Sequence, residues 1–264
     1  MNIFVRELKS NLRSLIIWSV IVVLFVTIGI SKFSAYYENP EMLALLDSMP
    51  PALLEAFSFG AFNLTTITGF YGVMFTYFAL MLSIAAAMWG SDIISKEERD
   101  KTVEFSLTLP VTRSRLVTAK ALAALVNCIV LLLVTLAASL VSAAQYQPDS
   151  EFFGFLRLCM VALFIMQLIF LAIGIFLGCA MKRYKRASAV AVALLLSTYF
   201  LSVLSGLNKN LNFLKYLTPF KYFDPALLLR DSHLDLLYVG LSLAIIVASM
   251  IGAYLTYSRR DLYI

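Results

Sequence analysis

The sequence predicts an all-α polytopic membrane protein with six transmembrane helices, and three observations carry that expectation. Of the 264 residues, 61% are hydrophobic and 14% charged, whereas soluble domains run at about 45–50% and about 25%. Six stretches contain no Asp, Glu, Lys or Arg: 14–31, 56–91, 121–148, 158–181, 187–208 and 236–258. All seven prolines fall between these stretches or at the end of one, so the helices are expected to be continuous. With a mean hydropathy of +0.87, a water-soluble fold would have to display its apolar side chains, and lipid is the solvent that removes this cost.

The elements follow in order along one transmembrane domain, residues 1–264. Phe4, Leu8, Leu12 and Leu15 are spaced four, four and three, while Arg6, Lys9 and Arg13 take the other side. This predicts an interfacial helix feeding the first span, about 14–33. That span is read as retained, because its apolar core is long for a secretory signal and Ser31-Lys32-Phe33 lacks a small-x-small cleavage pattern. Asn39-Pro40-Glu41 and Pro50-Pro51 each read as the start of a short amphipathic helix, the first carrying Met42, Leu43, Leu45 and Leu46, the second Leu53, Leu54, Phe57 and Phe59. Further spans are expected at about 67–89, 120–145, 158–181, 187–206 and 236–257, each near the roughly 20 residues needed to cross the hydrocarbon core. Before the last, Phe213, Lys215, Tyr216, Phe220, Lys221, Tyr222 and Phe223 suit a headgroup belt.

Basic residues set the orientation. Fifteen Lys and Arg lie on the side holding both termini and six on the other, for net charges of +8 and −3. The positive-inside rule then places both termini in the cytoplasm. The basic balance is thereby a topology signal, and no nucleic-acid partner is expected.

Several chemistries are excluded. One histidine, His233, and three separated cysteines, Cys128, Cys159 and Cys179, do not assemble a metal centre. Intramembrane hydrolysis would require paired aspartates, a metal-binding His motif or a Ser/His pair at bilayer depth, so no catalytic residue is assigned. Ion-coupled transport would need ionisable groups inside the bilayer, and the six stretches hold none. Asn127 and Gln167 are the most polar side chains well inside; they are candidate pathway residues, with a helix-to-helix hydrogen bond as the plainer role. Gly174 and Gly178 match the small-xxx-small rule for close helix packing, which a dimer could use. Ten methionines and twenty phenylalanines offer a soft apolar lining, better suited to an amphiphile than to a metal ion or sugar.

Energy for uphill movement would therefore enter from the cytoplasm, and one segment there, 91–119, has content. The charges Lys96, Glu97, Glu98, Arg99, Asp100 and Lys101 open it. Val103 and Leu107, then Phe105 and Leu109, pair at i,i+4 before Pro110 ends the run. This predicts a short amphipathic helix that docks on a partner, followed by a basic return to the membrane through Arg113 and Arg115.

Here the chain resembles the ABC-2 type (type V fold) permeases of ABC transporters. Glu98, Thr102, Glu104, Leu107, Leu109-Pro110-Val111, Arg113 and Lys120 are similar to the acid-rich start, Gly-Thr, apolar pair, Leu-Pro-Val-Ser-Arg and closing Lys that follow the second span in that family. Lys101 stands where the family usually has Gly, and Thr112 where it has Ser. The length, six-span layout and cytoplasmic termini match as well. The resemblance implies a cell-membrane exporter subunit of a bacterium or archaeon whose amphipathic segment is a coupling helix seated on a separate ATPase. It also implies two ATPase copies carrying ATP and Mg, and a second copy of this permease or a similar one. Consistent with this, the chain has no G-x-x-x-x-G-K-[ST] phosphate loop and holds no cofactor of its own. Cargo is expected to be a lipid, an antimicrobial peptide or a drug. A membrane anchor or signalling scaffold that holds a cytoplasmic partner without transport is the alternative.

Overall fold

The computed structural model describes residues 3–37, 48, 50, 62–99, 112–181, 184–207 and 209–259. Six of its helices are long and apolar enough to cross a membrane. We label them α1 (Ile3–Ser31), α2 (Ile67–Arg99), α3 (Arg113–Ala143), α4 (Ser150–Ala180), α5 (Tyr184–Leu207) and, after the short α6 (Pro219–Tyr222) and α7 (Pro225–Asp231), α8 (Leu236–Ser258). The described residues contain no strand.

Most helices outrun the expected spans because helical propensity does not stop at the edge of the hydrocarbon. The 33 residues of α2 extend about 50 Å at about 1.5 Å per residue, against a core about 30 Å thick. Caps fix the ends. Thr112 accepts from the Arg115 backbone N–H, Asp149 from that of Phe152 and Asp235 from that of Leu237.

Two helices form the centre. Gly174 lies against Ala87 and Gly178 against Ser91, so α4 runs parallel to α2 in constant register. A Cβ on Gly174 would stand 2.5 Å from the Ala87 carbonyl oxygen, and one on Gly90 would stand 2.4 Å from that of Leu171. Only glycine lets the two backbones approach so closely. The close-packing pair therefore meets α2 of its own chain and is buried there. Around this core, α1 packs on α3, α5 on α2 and α4, and α8 chiefly on α4.

The amphipathic start is not a separate interfacial helix, since α1 runs unbroken from Ile3 to Ser31. Leu12 and Ile16 are exposed and Glu7 is buried, while Lys9 and Arg13 stay exposed and Phe4, Leu8 and Leu15 are half-buried. The solvent explains this. Lipid tolerates leucine at little cost, so the polar stripe turns inward to find partners.

At the end of the bundle away from the N-terminus, aromatic rings do the packing. Phe33 stacks edge-on to Tyr146 at 4.8 Å and lies 5.3 Å from Phe70. The last connection also differs from a plain headgroup belt. Phe213 and Tyr216 are exposed, but Tyr222 at the end of α6 and Phe223 between α6 and α7 are buried; the sequence reading did not resolve these two short helices. The dipeptides Thr218-Pro219 and Asp224-Pro225 were the available signal, a cap residue followed by proline at the first helical position. The two short outer helices expected within 39–59 lie outside the described residues.

Candidate functional site

The site is built where α1, α2 and α3 meet at the N-terminal end of the bundle. Its centre is Glu7, only 2% exposed. A carboxylate so far from water is costly unless paired and hydrogen-bonded, and two lysines supply the pairing. Lys96, on the last turns of α2, forms an ion pair with Glu7 Oε1. Its Nζ also donates to Ser10 Oγ at 2.9 Å and to Asn11 Oδ1 at 3.1 Å. Lys120, in the second turn of α3 and 0% exposed, lies with its Nζ 3.5 Å from Glu7 Oε2 and donates to the Ile93 carbonyl at 2.6 Å.

Residues 97–112 connect the end of α2 to the start of α3 in the chain. One buried carboxylate therefore joins both stems of that connection to the first helix. Nearby bonds widen the clasp. Trp89 Nε1 donates to Ser14 Oγ at 2.9 Å, which ties α2 to α1 two turns from Lys96. Arg113 Nη1 reaches the carbonyls of Tyr257 and Ser258 at 3.2 and 3.4 Å, a cation on the C-terminal end of α8. Four helix ends are thus held together by directional bonds.

Among the sequence-predicted site residues, Lys96 and Arg113 take part in this clasp. Glu97, Glu98 and Arg99 complete the last turn of α2. Asp100, Lys101, Thr102, Val103, Glu104, Phe105, Leu107, Leu109 and Pro110 lie outside the described residues. Lys120, the closing Lys of the motif and one of the cations counted for orientation, is wholly buried. Glu7 was missed. Its signal was a polar stripe, Glu7, Asn11 and Ser14, spaced four and three on a helix otherwise basic and apolar.

The two amides are buried in the bundle, but the expected helix-to-helix hydrogen bond is absent for them. Asn127 Nδ2 and both polar atoms of the Gln167 side chain have no hydrogen-bond partner among the described residues. Other buried hydroxyls of the bundle do have partners: Thr135 donates to the Leu131 carbonyl on its own helix, and Ser139 bonds Tyr71 across the bundle. Gln167 precedes Gly174 by seven residues, two turns, and so lies on the α4 face that packs on α2. Ser83, one turn before Ala87 on α2, also has a buried hydroxyl without a partner among the described residues. The central seam therefore holds polar atoms that its own packing leaves unanswered.

No curated protein matches the chain. A family model described as ABC-2 family transporter protein matches residues 1–262. With that match spanning almost the whole sequence and six helices able to cross a membrane, the chain belongs to the ABC-2 transporter family, as a multi-pass permease subunit of an ABC transporter that works with an ABC ATPase subunit.

Proposed function

We propose that this permease exports an amphiphilic or hydrophobic substrate, taking force from its ATPase through segment 97–112 and sharing it with α1 through Glu7. The supporting observation is the buried carboxylate bonded to Lys96 on one stem and Lys120 on the other. A push on segment 97–112 reaches the ends of α2 and α3 through the chain itself, and Glu7 carries α1 with them. The apolar pairs Val103/Leu107 and Phe105/Leu109 are side chains that this segment could seat on the ATPase.

In this reading both termini are cytoplasmic, ATP and Mg bind the partner, and two ATPase copies serve two permeases, this chain paired with itself or with a similar one. Closure of the ATPases would drive the paired coupling helices together and part the α2–α4 seam. Gln167 and Asn127 would then meet water or substrate. The charge asymmetry of the connections supports the orientation, and the uncharged lining supports an amphiphile over an ion.

The test is ATP-dependent movement of a labelled lipid or hydrophobic peptide in vesicles holding the chain with its ATPase. Phe105→Asp or Leu107→Asp should abolish movement. Glu7→Gln should lower transport per ATP hydrolysed while the ATPase stays bound. Binding of the ATPase without any ATP-driven flux across a panel of such cargoes would favour the anchor reading.

A further inference from the structure

An apolar groove of about 210 Å³ lies between α3, α4 and α8. Leu122 and Leu125 form one wall, Leu168 and Ile175 the floor, and Met250 the other wall. Where it approaches the N-terminal end of the bundle, its character changes. The hydroxyls of Thr118 and Tyr254 meet at 2.8 Å, bridging α3 to α8. Arg113 closes the end beyond them through the Tyr257 and Ser258 carbonyls.

Thr118, Leu122 and Leu125 form one stripe of α3 at helical spacing, and one turn earlier the same stripe carries Arg115, exposed. The groove is thus an apolar slot with a hydroxyl pair and an exposed cation at its mouth. Thr118 is five residues into α3, about 7–8 Å along the axis, which is headgroup depth for a helix that starts outside the hydrocarbon. Tyrosine is enriched at that level.

We infer that this groove binds an anionic phospholipid of the leaflet at this end of the bundle. One acyl chain lies along the leucine walls, and the phosphate meets the Arg115 guanidinium. The apolar walls alone would not select an occupant, because lipid tails are as apolar as leucine and surround the whole bundle. Selection comes from the mouth, where the Arg115 guanidinium complements phosphate oxygens. A partner helix seated in the slot would make no use of the cation.

The experiment is native mass spectrometry of the full-length chain in mild detergent, offered equal amounts of phosphatidylglycerol and phosphatidylcholine with identical tails. The chain should retain phosphatidylglycerol about fivefold more, the preference that one well-placed cation confers. Arg115→Gln should bring the two lipids to parity. Arg186→Gln, which removes an exposed cation elsewhere at the same end, should leave the preference intact. Leu122→Trp, which fills the slot from an exposed position, should reduce adducts of both lipids. Helicity by circular dichroism should be unchanged in all three variants. Equal retention of the two lipids by the unaltered chain overturns the inference, as does an equal loss from Arg115→Gln and Arg186→Gln, or adducts indifferent to Leu122→Trp. None of these results depends on transport, so they leave the export reading untouched.

Discussion

The two ends of the bundle are held by different physics. At the N-terminal end, polar atoms bond across helices far apart in sequence: Glu7 with Lys96 and Lys120, Ser14 with Trp89, and Arg113 with the end of α8. At the opposite end most polar atoms serve their own turn, as Asn63 does for Thr65 and Asp224 for Ala226. Long-range cohesion there comes from rings, Phe33 with Tyr146 and Phe70, and Tyr222 stacked on Tyr238 at 5.2 Å. Tyr71 with Ser139 is the cross-helix hydrogen bond of that half. Directional ion pairs fix relative position and transmit a push; aromatic packing tolerates sliding.

The largest effect that would test this contrast is Glu7→Gln. It leaves Lys120 buried with its carboxylate lost, and unfolding in detergent should fall by about 3–5 kcal/mol. A double substitution, Glu7→Gln with Lys120→Met, should recover part of the loss. Next is the seam that both ends share: Gly174→Ala drives a methyl to 2.5 Å from the Ala87 carbonyl, and overpacking there should cost about 1–3 kcal/mol. Gly240→Ala, with nothing within 4 Å of the new methyl, should be neutral or stabilising in the same thermal assay. At the aromatic end, Phe33→Leu keeps most of the volume and should cost less than about 1.5 kcal/mol. If it equals the loss from Glu7→Gln, the contrast between the ends is wrong. The smallest effect is Tyr71→Phe, which removes one hydrogen bond worth about 0.6 kcal/mol between membrane helices. Guanidinium or heat titrations that rank these variants differently would locate the cohesion elsewhere.

Much of the fold was legible because a bilayer imposes long apolar runs and puts charge outside them. Caps such as Asp149 and Asp235 explain why the helices begin before the charge-free runs or at their first residue. The site was legible only in part. Lys96 and Arg113 stood out from the pattern around the second connection, but their partners did not. Glu7 looked like one more charge on a basic terminus, and its burial depends on α2 and α3 arriving from far along the chain, with Lys96 and Lys120. The α6–α7 pair hid in an aromatic stretch whose composition also fits a lipid headgroup belt. Asn127 and Gln167 were flagged for polarity, yet that Asn127 Nδ2 and both Gln167 side-chain atoms have no partner among the described residues is decided by the packing around them.

Hydropathy, proline placement and charge asymmetry alone determined that this chain is a six-helix membrane protein, because transfer between water and lipid is a local property summed along the chain. Which groups meet was decided only by the tertiary structure. Glycines at 90, 174 and 178 let α2 and α4 close to backbone contact, and that packing, with α1 and α3 laid against it, turns three scattered charges into one clasp. Pairing energy falls off within a few ångströms, so no reading of sequence spacing could supply it.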